Sequence, residues 1–132
     1  AQIINLLQSL QKEDNLSLLF ISHDLNVIKH LSQRTAVMYL GKIVEIAPTE
    51  LLNQKAAHPY TQALLASKPS LNPADKKRPK PLQGDVPSPL YPPTGCHFHP
   101  RCPEVMDRCK KESPKQVELD KGHFVHCHLY AE

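Results

Sequence analysis

The sequence predicts an α/β fold followed by a proline-rich strap and a small, irregular, cysteine-rich module. Residues 1–13 place leucine and isoleucine at helical spacing, which indicates a helix with one apolar stripe. Residues 16–22 (LSLLFIS) form a continuous apolar run of strand length, as is typical of a strand covered on both faces in a parallel sheet. A helix pattern and strand patterns follow. A strand, a helix and a further strand in this order indicate the tail of an α/β domain.

The second helix and the strands after it carry start and turn signals. Residues 24–33 have apolar side chains at helical spacing, and Ser22 or Asp24 is placed to cap the first turn. Residues 34–48 have the pattern of two strands, and we expect them to turn at Gly41–Lys42.

Two short helices and a proline-rich segment come next. Thr49 is expected to cap the first helix. Residues 58–67 (HPYTQALLAS) are expected to form the second, with Pro59 in its first turn, where the missing N–H costs nothing. Residues 69–93 hold eight prolines in 25 positions. This segment should therefore be extended and largely non-helical.

Length and composition bound the organisation and the partners. A chain of 132 residues has room for one ordinary domain, or for part of one with an appendage. We divide it into residues 1–66, a linker of residues 67–93 and a cysteine-rich module of residues 94–132. The formal net charge is +3, and its basic surplus lies in the linker, which argues against a nucleic-acid site. No apolar run approaches the roughly 20 residues of a membrane span. The chain begins without Met inside a predicted helix, so we expect a fragment of a longer protein.

The cysteine-rich module holds every cysteine of the chain: Cys96, Cys102, Cys109 and Cys127. So small a segment rarely folds without a cross-link or a metal. Zinc prefers C-x2–4-C pairs, which this chain lacks. An iron–sulfur cluster takes four thiolates at irregular spacing, and Cys102–Pro103 matches the Cys–Pro end of one ferredoxin motif. Disulfides would suit a secreted protein, but no secretory signal is visible. The spacing alone leaves zinc and iron–sulfur open, with disulfides behind them.

Several histidines lie close to these cysteines in the sequence. We expect them to support the ligands or to lie on the surface, because four cysteines already complete a tetrahedral set. They are His97, His99, His123, His126 and His128.

Several stretches together resemble a known family. HPYTQALL (58–65), LQGDVPSPLYPPTGCHFHPRCP (82–103) and HFVHCH (123–128) are similar to the C-terminal region of oligopeptide/dipeptide ABC-importer ATPase subunits, whose hallmark is the His-Pro-Tyr triplet. Upstream, LLFISHDLNVIKHLSQRTAVMYLGKIVE (18–45) resembles the last strand–helix–strand portion of an ABC nucleotide-binding domain. The resemblance covers practically the whole chain. It implies that residues 1–66 are the C-terminal part of such a domain.

The resemblance implies roles for individual residues. His23 would be the switch histidine, which in the assembled ATPase reaches the γ-phosphate of ATP, and ligands of open α/β sheets do bind at the carboxyl ends of strands. Cys96, Cys102, Cys109 and Cys127 would hold a [4Fe–4S] cluster, with zinc as the alternative.

Several family motifs are missing from this chain. It contains no G-x-x-x-x-G-K-[ST] loop, ABC signature, glutamine loop or acidic Walker B strand. ATP and Mg²⁺ would therefore be bound in the full-length parent only, and we expect the fragment alone not to hydrolyse ATP.

The resemblance also implies a function for the parent, which would hydrolyse ATP to drive the uptake of peptides or of nickel. Its partners would be a second ATP-binding subunit and transmembrane permease subunits, with no nucleic acid. It would lie peripherally at the cytoplasmic face of a bacterial or archaeal inner membrane, without a transmembrane segment of its own. The alternative function is a stand-alone metal-binding or iron–sulfur redox module.

Overall fold

A computed structural model describes residues 2–67 and 82–131, and these residues form five α-helices and four β-strands. Two short 3₁₀ turns, His99–Arg101 and His128–Tyr130, complete the regular structure of the described ranges. The helices are α1 (Gln2–Glu13), α2 (Leu25–Leu31), α3 (Thr49–Gln54), α4 (Pro59–Ala66) and α5 (Asp107–Lys111). The strands are β1 (Arg34–Tyr39), β2 (Lys42–Pro48), β3 (Gln116–Asp120) and β4 (His123–His126).

The four strands form one antiparallel sheet in the order β1-β2-β4-β3. β1 and β2 form the predicted hairpin, whose turn lies at Leu40–Gly41, both with positive φ. β4 pairs with β2 through Glu45 opposite Val125 and Ile46 opposite Phe124. The second hairpin, β3–β4, therefore extends the sheet that residues 34–48 begin.

One face of this sheet carries the main core. Inward-facing side chains alternate along β1, so that Val37 and Tyr39 are buried while their neighbours are exposed. They pack with Val44 of β2 and Leu52 of α3. Phe98, which lies between two of the cysteines in sequence, is 1% exposed and belongs to the same core. The cysteine-rich segment thus supplies a central side chain to the core of the first hairpin.

The helix predictions were confirmed more often than not. α1 and α2 lie where the apolar periodicity predicted them, and Asp24 caps α2 by accepting the N–H groups of Asn26 and Val27 at 2.9 and 3.4 Å. α4 begins at Pro59, as predicted. The expectation for Thr49 was wrong: it is the first residue of α3, and its hydroxyl is hydrogen-bonded to another buried hydroxyl at 2.8 Å instead of capping the helix.

Residues 16–22 do not form the predicted strand. No regular structure is assigned to them, and Leu19 and Ile21 are 94% and 90% exposed. A parallel strand needs neighbours that supply its backbone hydrogen bonds. The strands that the structure describes pair only with one another, and all of those pairs are antiparallel. The architecture of the described residues is therefore one of helices with an antiparallel sheet.

The structure bears differently on the predictions for the strap and for the cysteine-rich module. Of the proline-rich segment, residues 68–81 lie outside the described ranges, and residues 82–93 contain neither helix nor strand. The module was expected to be irregular, but it contains α5 and the β3–β4 hairpin. The division at residues 66 and 94 stays a prediction, although the sheet described here crosses both boundaries. Within residues 2–67 and 82–131, no helix is long and apolar enough to cross a membrane.

The buried position of Phe98 predicts that its substitution lowers the stability of the protein. Phe98→Ala would leave a cavity beneath β1 and β2, so we expect the free energy of unfolding to fall by about 3–5 kcal/mol. The matched control is Tyr91→Ala, because Tyr91 is 83% exposed, and its loss should cost roughly 0.5 kcal/mol or less. Urea unfolding of the three proteins measures the difference. Equal stability of the two variants would show that the cysteine-rich segment contributes nothing to this core.

Candidate metal centre

His23 lies on the surface, in the loop that leads into α2. Its neighbours Ser22 and Asp24 build the helix start: the Asp24 N–H donates to Ser22 Oγ at 2.9 Å, and the Asp24 carboxylate caps the helix. The His23 side chain is exposed and so takes no part in the described core. Its role as the switch histidine stays a prediction.

The four cysteines come from four separate places in the chain and meet in one cluster. All four are free thiols. Burial is the main cause that raises the pKa of Cys96, of Cys102 (to about 11) and of Cys127. The four cysteines also affect one another. In each of the six possible pairs, the negative charge of one thiolate raises the pKa of the other cysteine or is itself opposed by it. Such mutual effects require proximity. The fold thus brings the four predicted ligands, with Cys109 of α5 among them, together; we call them the thiol cluster.

Backbone N–H groups oppose the effect of burial on the pKa of three of these cysteines. Hydrogen bonds from them favour the thiolate, and so they lower the pKa of each cysteine against the effect of burial. Each donor lies two or three residues after its cysteine, in the turn that the cysteine begins. The donors are Phe98 and His99 for Cys96, Glu104 for Cys102, and Leu129 for Cys127.

A close backbone contact holds the first cysteine against α5. Gly95 has φ +69°, and a Cβ atom there would lie 2.3 Å from the carbonyl oxygen of Cys109. Only glycine allows this approach. The Cys96 N–H donates to the same Cys109 carbonyl at 2.8 Å, and the Thr94 hydroxyl donates to the carbonyl of Lys110 at 2.8 Å. The positions of Cys96 and Cys109 are therefore fixed relative to each other.

The thiol cluster does not have the form of a site for a single ion. Within the ranges that the structure describes, no three His, Cys, Asp or Glu side chains are placed to hold one metal ion. Most of the neighbouring histidines use a ring nitrogen elsewhere. His97 and His99 are bonded through Nδ1 to the carbonyls of Leu40 and Cys96, each at 2.9 Å, and His128 Nε2 is 2.8 Å from the carbonyl of Glu112.

A cleft of about 740 Å³ borders one side of the thiol cluster. It lies on the outer face of the sheet, where Ile46 of β2 and Phe124 of β4 pair side by side. Cys96, His97 and His126 form part of its wall. The Cys96 side of the cluster is thus reached from this cleft.

Glu45 is the central residue that sequence reasoning missed. It lies in β2 and is 0% exposed. Its carboxylate accepts three hydrogen bonds: from the Ala57 N–H at 2.8 Å, from the His58 N–H at 2.9 Å and from His123 Nε2 at 2.7 Å. The only available signal was one acidic residue inside an otherwise apolar strand, IVEIA. This carboxylate joins the first hairpin, the start of α4 and the strand that leads to Cys127.

The His-Pro-Tyr triplet has a structural explanation in this arrangement. His58 is the N-cap of α4, and its Nδ1 accepts the Tyr60 N–H at 3.0 Å. Pro59 is the first helical residue, where its fixed φ suits the helix. The Tyr60 ring packs against Tyr39 and Phe98, with centroid distances of 4.7 and 5.3 Å. The triplet therefore caps α4, begins it and anchors it on the shared core.

The protonation of His58 follows from its burial. Burial lowers its pKa to about 4, against an opposing effect of the Glu45 carboxylate, while His126 lowers it further. Because Nδ1 accepts a hydrogen bond, the neutral ring is the form that fits the cap.

The lowered pKa predicts a pH dependence of stability. In the unfolded chain His58 would titrate near pH 6.5, so between about pH 6.5 and 4 the unfolded state binds more protons than the folded state. The stabilisation is complete above pH 6.5 and declines as the pH falls towards 4, with a loss of about 3 kcal/mol at the lower end. His58→Asn keeps an N-capping side chain without the titration. Urea unfolding from pH 4 to 7 should show a shallower slope for this variant, and identical slopes would contradict the assignment.

Comparisons with known proteins place these features in a family. Residues 44–109, half of the chain, match the family model of the oligopeptide/dipeptide transporter C-terminal region. The "Probable peptide ABC transporter ATP-binding protein y4tS" of Sinorhizobium fredii is 53% identical over 131 residues, which are 99% of this chain and 37% of that protein. The oligopeptide transport ATP-binding protein AppF of Bacillus subtilis is 49% identical over 99% of this chain and 40% of its own length.

The chain thus spans about two fifths of the length of the curated relatives that it matches. The match includes Glu45, the His-Pro-Tyr triplet and three of the four cysteines. The sequence resemblance was therefore confirmed, and the chain belongs to the oligopeptide/dipeptide transporter C-terminal region family.

Proposed function

We propose that this chain is the C-terminal part of the ATP-hydrolysing, energy-coupling subunit of a peptide importer. The observation that carries the proposal is the alignment over practically the whole chain, at 49–53% identity, with proteins named as ATP-binding components of peptide transport. Uptake of nickel instead of peptides would use the same subunit architecture, and transport assays with each substrate distinguish the two.

The proposed subunit works in an assembly. A second ATP-binding subunit and transmembrane permease subunits would be its partners, and it would lie on the cytoplasmic face of the inner membrane. ATP and Mg²⁺ would be bound by segments of the parent that this chain does not contain, because the chain has no phosphate-binding loop. The chain alone should therefore not hydrolyse ATP.

The exposed position of His23 suits a residue whose ligand comes from outside the described residues. An imidazole at this place would orient the γ-phosphate and the attacking water. In the full-length subunit, His23→Ala should lower ATP hydrolysis by on the order of 100-fold while changing ATP binding little. The control is His30→Ala, which removes an exposed histidine of α2. Wild-type turnover of the His23→Ala variant would show that His23 serves only as part of the loop that begins α2.

We also propose that the thiol cluster, Cys96, Cys102, Cys109 and Cys127, holds one [4Fe–4S] cluster. The support is the mutual proximity of all four thiols and the presence of three of them in the matched family region. In a zinc site with Zn–S bonds of about 2.3 Å, tetrahedral geometry places the sulfurs about 3.8 Å apart. In a four-iron cluster each thiolate binds a different iron, so the sulfurs lie further apart. The sulfur–sulfur separations would thus distinguish the two groups, and zinc stays the alternative.

The donor set has further features that suit a cluster. All four ligands would be thiolates, and backbone N–H groups favour the thiolate form of three of them. When bound, such a group supplies four strong cross-links and the capacity to take up one electron. The four cysteines would then tie the end of the strap, α5 and the C-terminal segment together, closing loops that are otherwise costly in chain entropy.

Metal analysis tests this assignment. The full-length protein, purified without oxygen, should be brown and contain about four irons per chain. Any single Cys→Ser change should lower the iron content strongly, whereas Ser113→Ala, which removes a hydroxyl bonded to the Gly95 carbonyl, should preserve it. Stoichiometric zinc without iron in the wild-type protein would assign the four cysteines to a structural zinc site.

The shared sheet weighs against the stand-alone redox module as an alternative. Phe98 packs in the core of the first hairpin, and β4 pairs with β2. A self-contained module would build its core and its sheet from its own residues alone. The cysteine-rich segment is better explained as an appendage built onto the nucleotide-binding domain.

A further inference from the structure

Ala57 connects the buried carboxylate to the thiol cluster. Its N–H donates to Glu45 Oε1 at 2.8 Å, and its carbonyl accepts the Tyr130 hydroxyl at 3.0 Å. Its methyl group packs with Val125 and Cys127 in a small buried cluster. The backbone of Ala57 is thus held on both sides, and its side chain forms part of the wall against which Cys127 lies.

Glu45 also fixes the strand that carries the last cysteine. His123 opens β4, and its Nε2 lies 2.7 Å from Glu45 Oε1 with both side chains buried. Cys127 follows β4 directly. Glu45 also lies opposite Val125, two residues before Cys127, in the pairing of β2 with β4. The same residue therefore places Cys127 and puts a buried carboxylate near it.

We propose that Glu45 is a positioning residue for the thiol cluster: it holds Cys127 through Ala57 and His123, and its charge lowers the reduction potential of an iron–sulfur cluster bound there. This inference rests on the proposed cluster. Reduction adds one electron, supplied by dithionite, without making or breaking a bond. Because the reduced cluster carries one more negative charge, a nearby carboxylate disfavours it, and net charge is one of the factors that set such potentials. Burial reduces the screening of this interaction by water and salt.

Three variants of the full chain, reconstituted anaerobically with ferrous iron and sulfide, separate charge from position. Glu45→Gln removes the charge and also turns one acceptor oxygen into an NH2 group that faces an N–H donor, so its potential should be more positive and a ferrous chelator should remove its iron about tenfold faster. Tyr130→Phe removes the shorter of two side-chain hydrogen bonds to the Ala57 carbonyl, the other coming from Gln62 at 3.4 Å. It keeps the charge of Glu45, so it should lose iron faster at an unchanged potential. Glu50→Gln is the matched control, because Glu50 is an exposed residue of α3 and should leave both measurements unchanged.

The outcomes distinguish this inference from the proposed function. A folded, iron-loaded Glu45→Gln protein with the wild-type potential, or with wild-type iron retention, overturns the role of Glu45 and leaves the cluster in place. If Glu45→Gln does not fold, Tyr130→Phe decides, and iron retention equal to that of the wild type overturns the proposal. A wild-type chain that binds no iron overturns the cluster and this inference together.

Discussion

The buried carboxylate of Glu45 is the interaction on which the rest of this structure depends. An ion removed from water costs several kcal/mol unless hydrogen bonds compensate for the lost hydration. Here the compensation comes from the backbone before α4 and from His123 of β4, segments that lie 12 to 78 residues away in sequence. These segments must meet at one point, because the loss of any one hydrogen-bond donor would leave the buried carboxylate less well compensated. A single side chain thereby fixes the relative placement of the first hairpin, α4 and the second hairpin.

The shared core explains how so short a cysteine-rich segment folds. A segment of this size cannot bury enough apolar surface on its own. Part of the answer is that it does not fold on its own: Phe98 enters the core beneath β1 and β2, and Val125 of β4 is fully buried beside Ala57. The thiol cluster therefore need not supply all of the stability of the segment. Its geometry is set by the surrounding protein as well as by whatever the cysteines bind.

What the sequence predicts here depends on how far apart the interacting residues lie. The Asp24 cap and the Pro59 helix start were correct, because the residues that determine them are one to three positions away. The Glu45–His123 contact was missed, because no local pattern marks two residues 78 positions apart as partners. The run at 16–22 was assigned to a strand from hydrophobicity alone, yet a strand also requires neighbouring strands. The four cysteines stay a prediction as a ligand set, whereas their relation to Glu45 needed the fold.

The thiol cluster combines two opposing influences on the pKa of its cysteines. Burial and mutual repulsion raise the pKa of Cys96, Cys102 and Cys127, so free thiols stay protonated at neutral pH. The N–H groups directed at the same sulfurs stabilise the thiolate instead, and a protonated thiol is a weak acceptor for them. The metal group proposed above would resolve this conflict, because it would displace the protons and leave thiolates that these N–H groups can bond. Under the proposed assignment the opposing influences would act together, because metal-bound thiolates accept the N–H hydrogen bonds that protonated thiols accept only weakly.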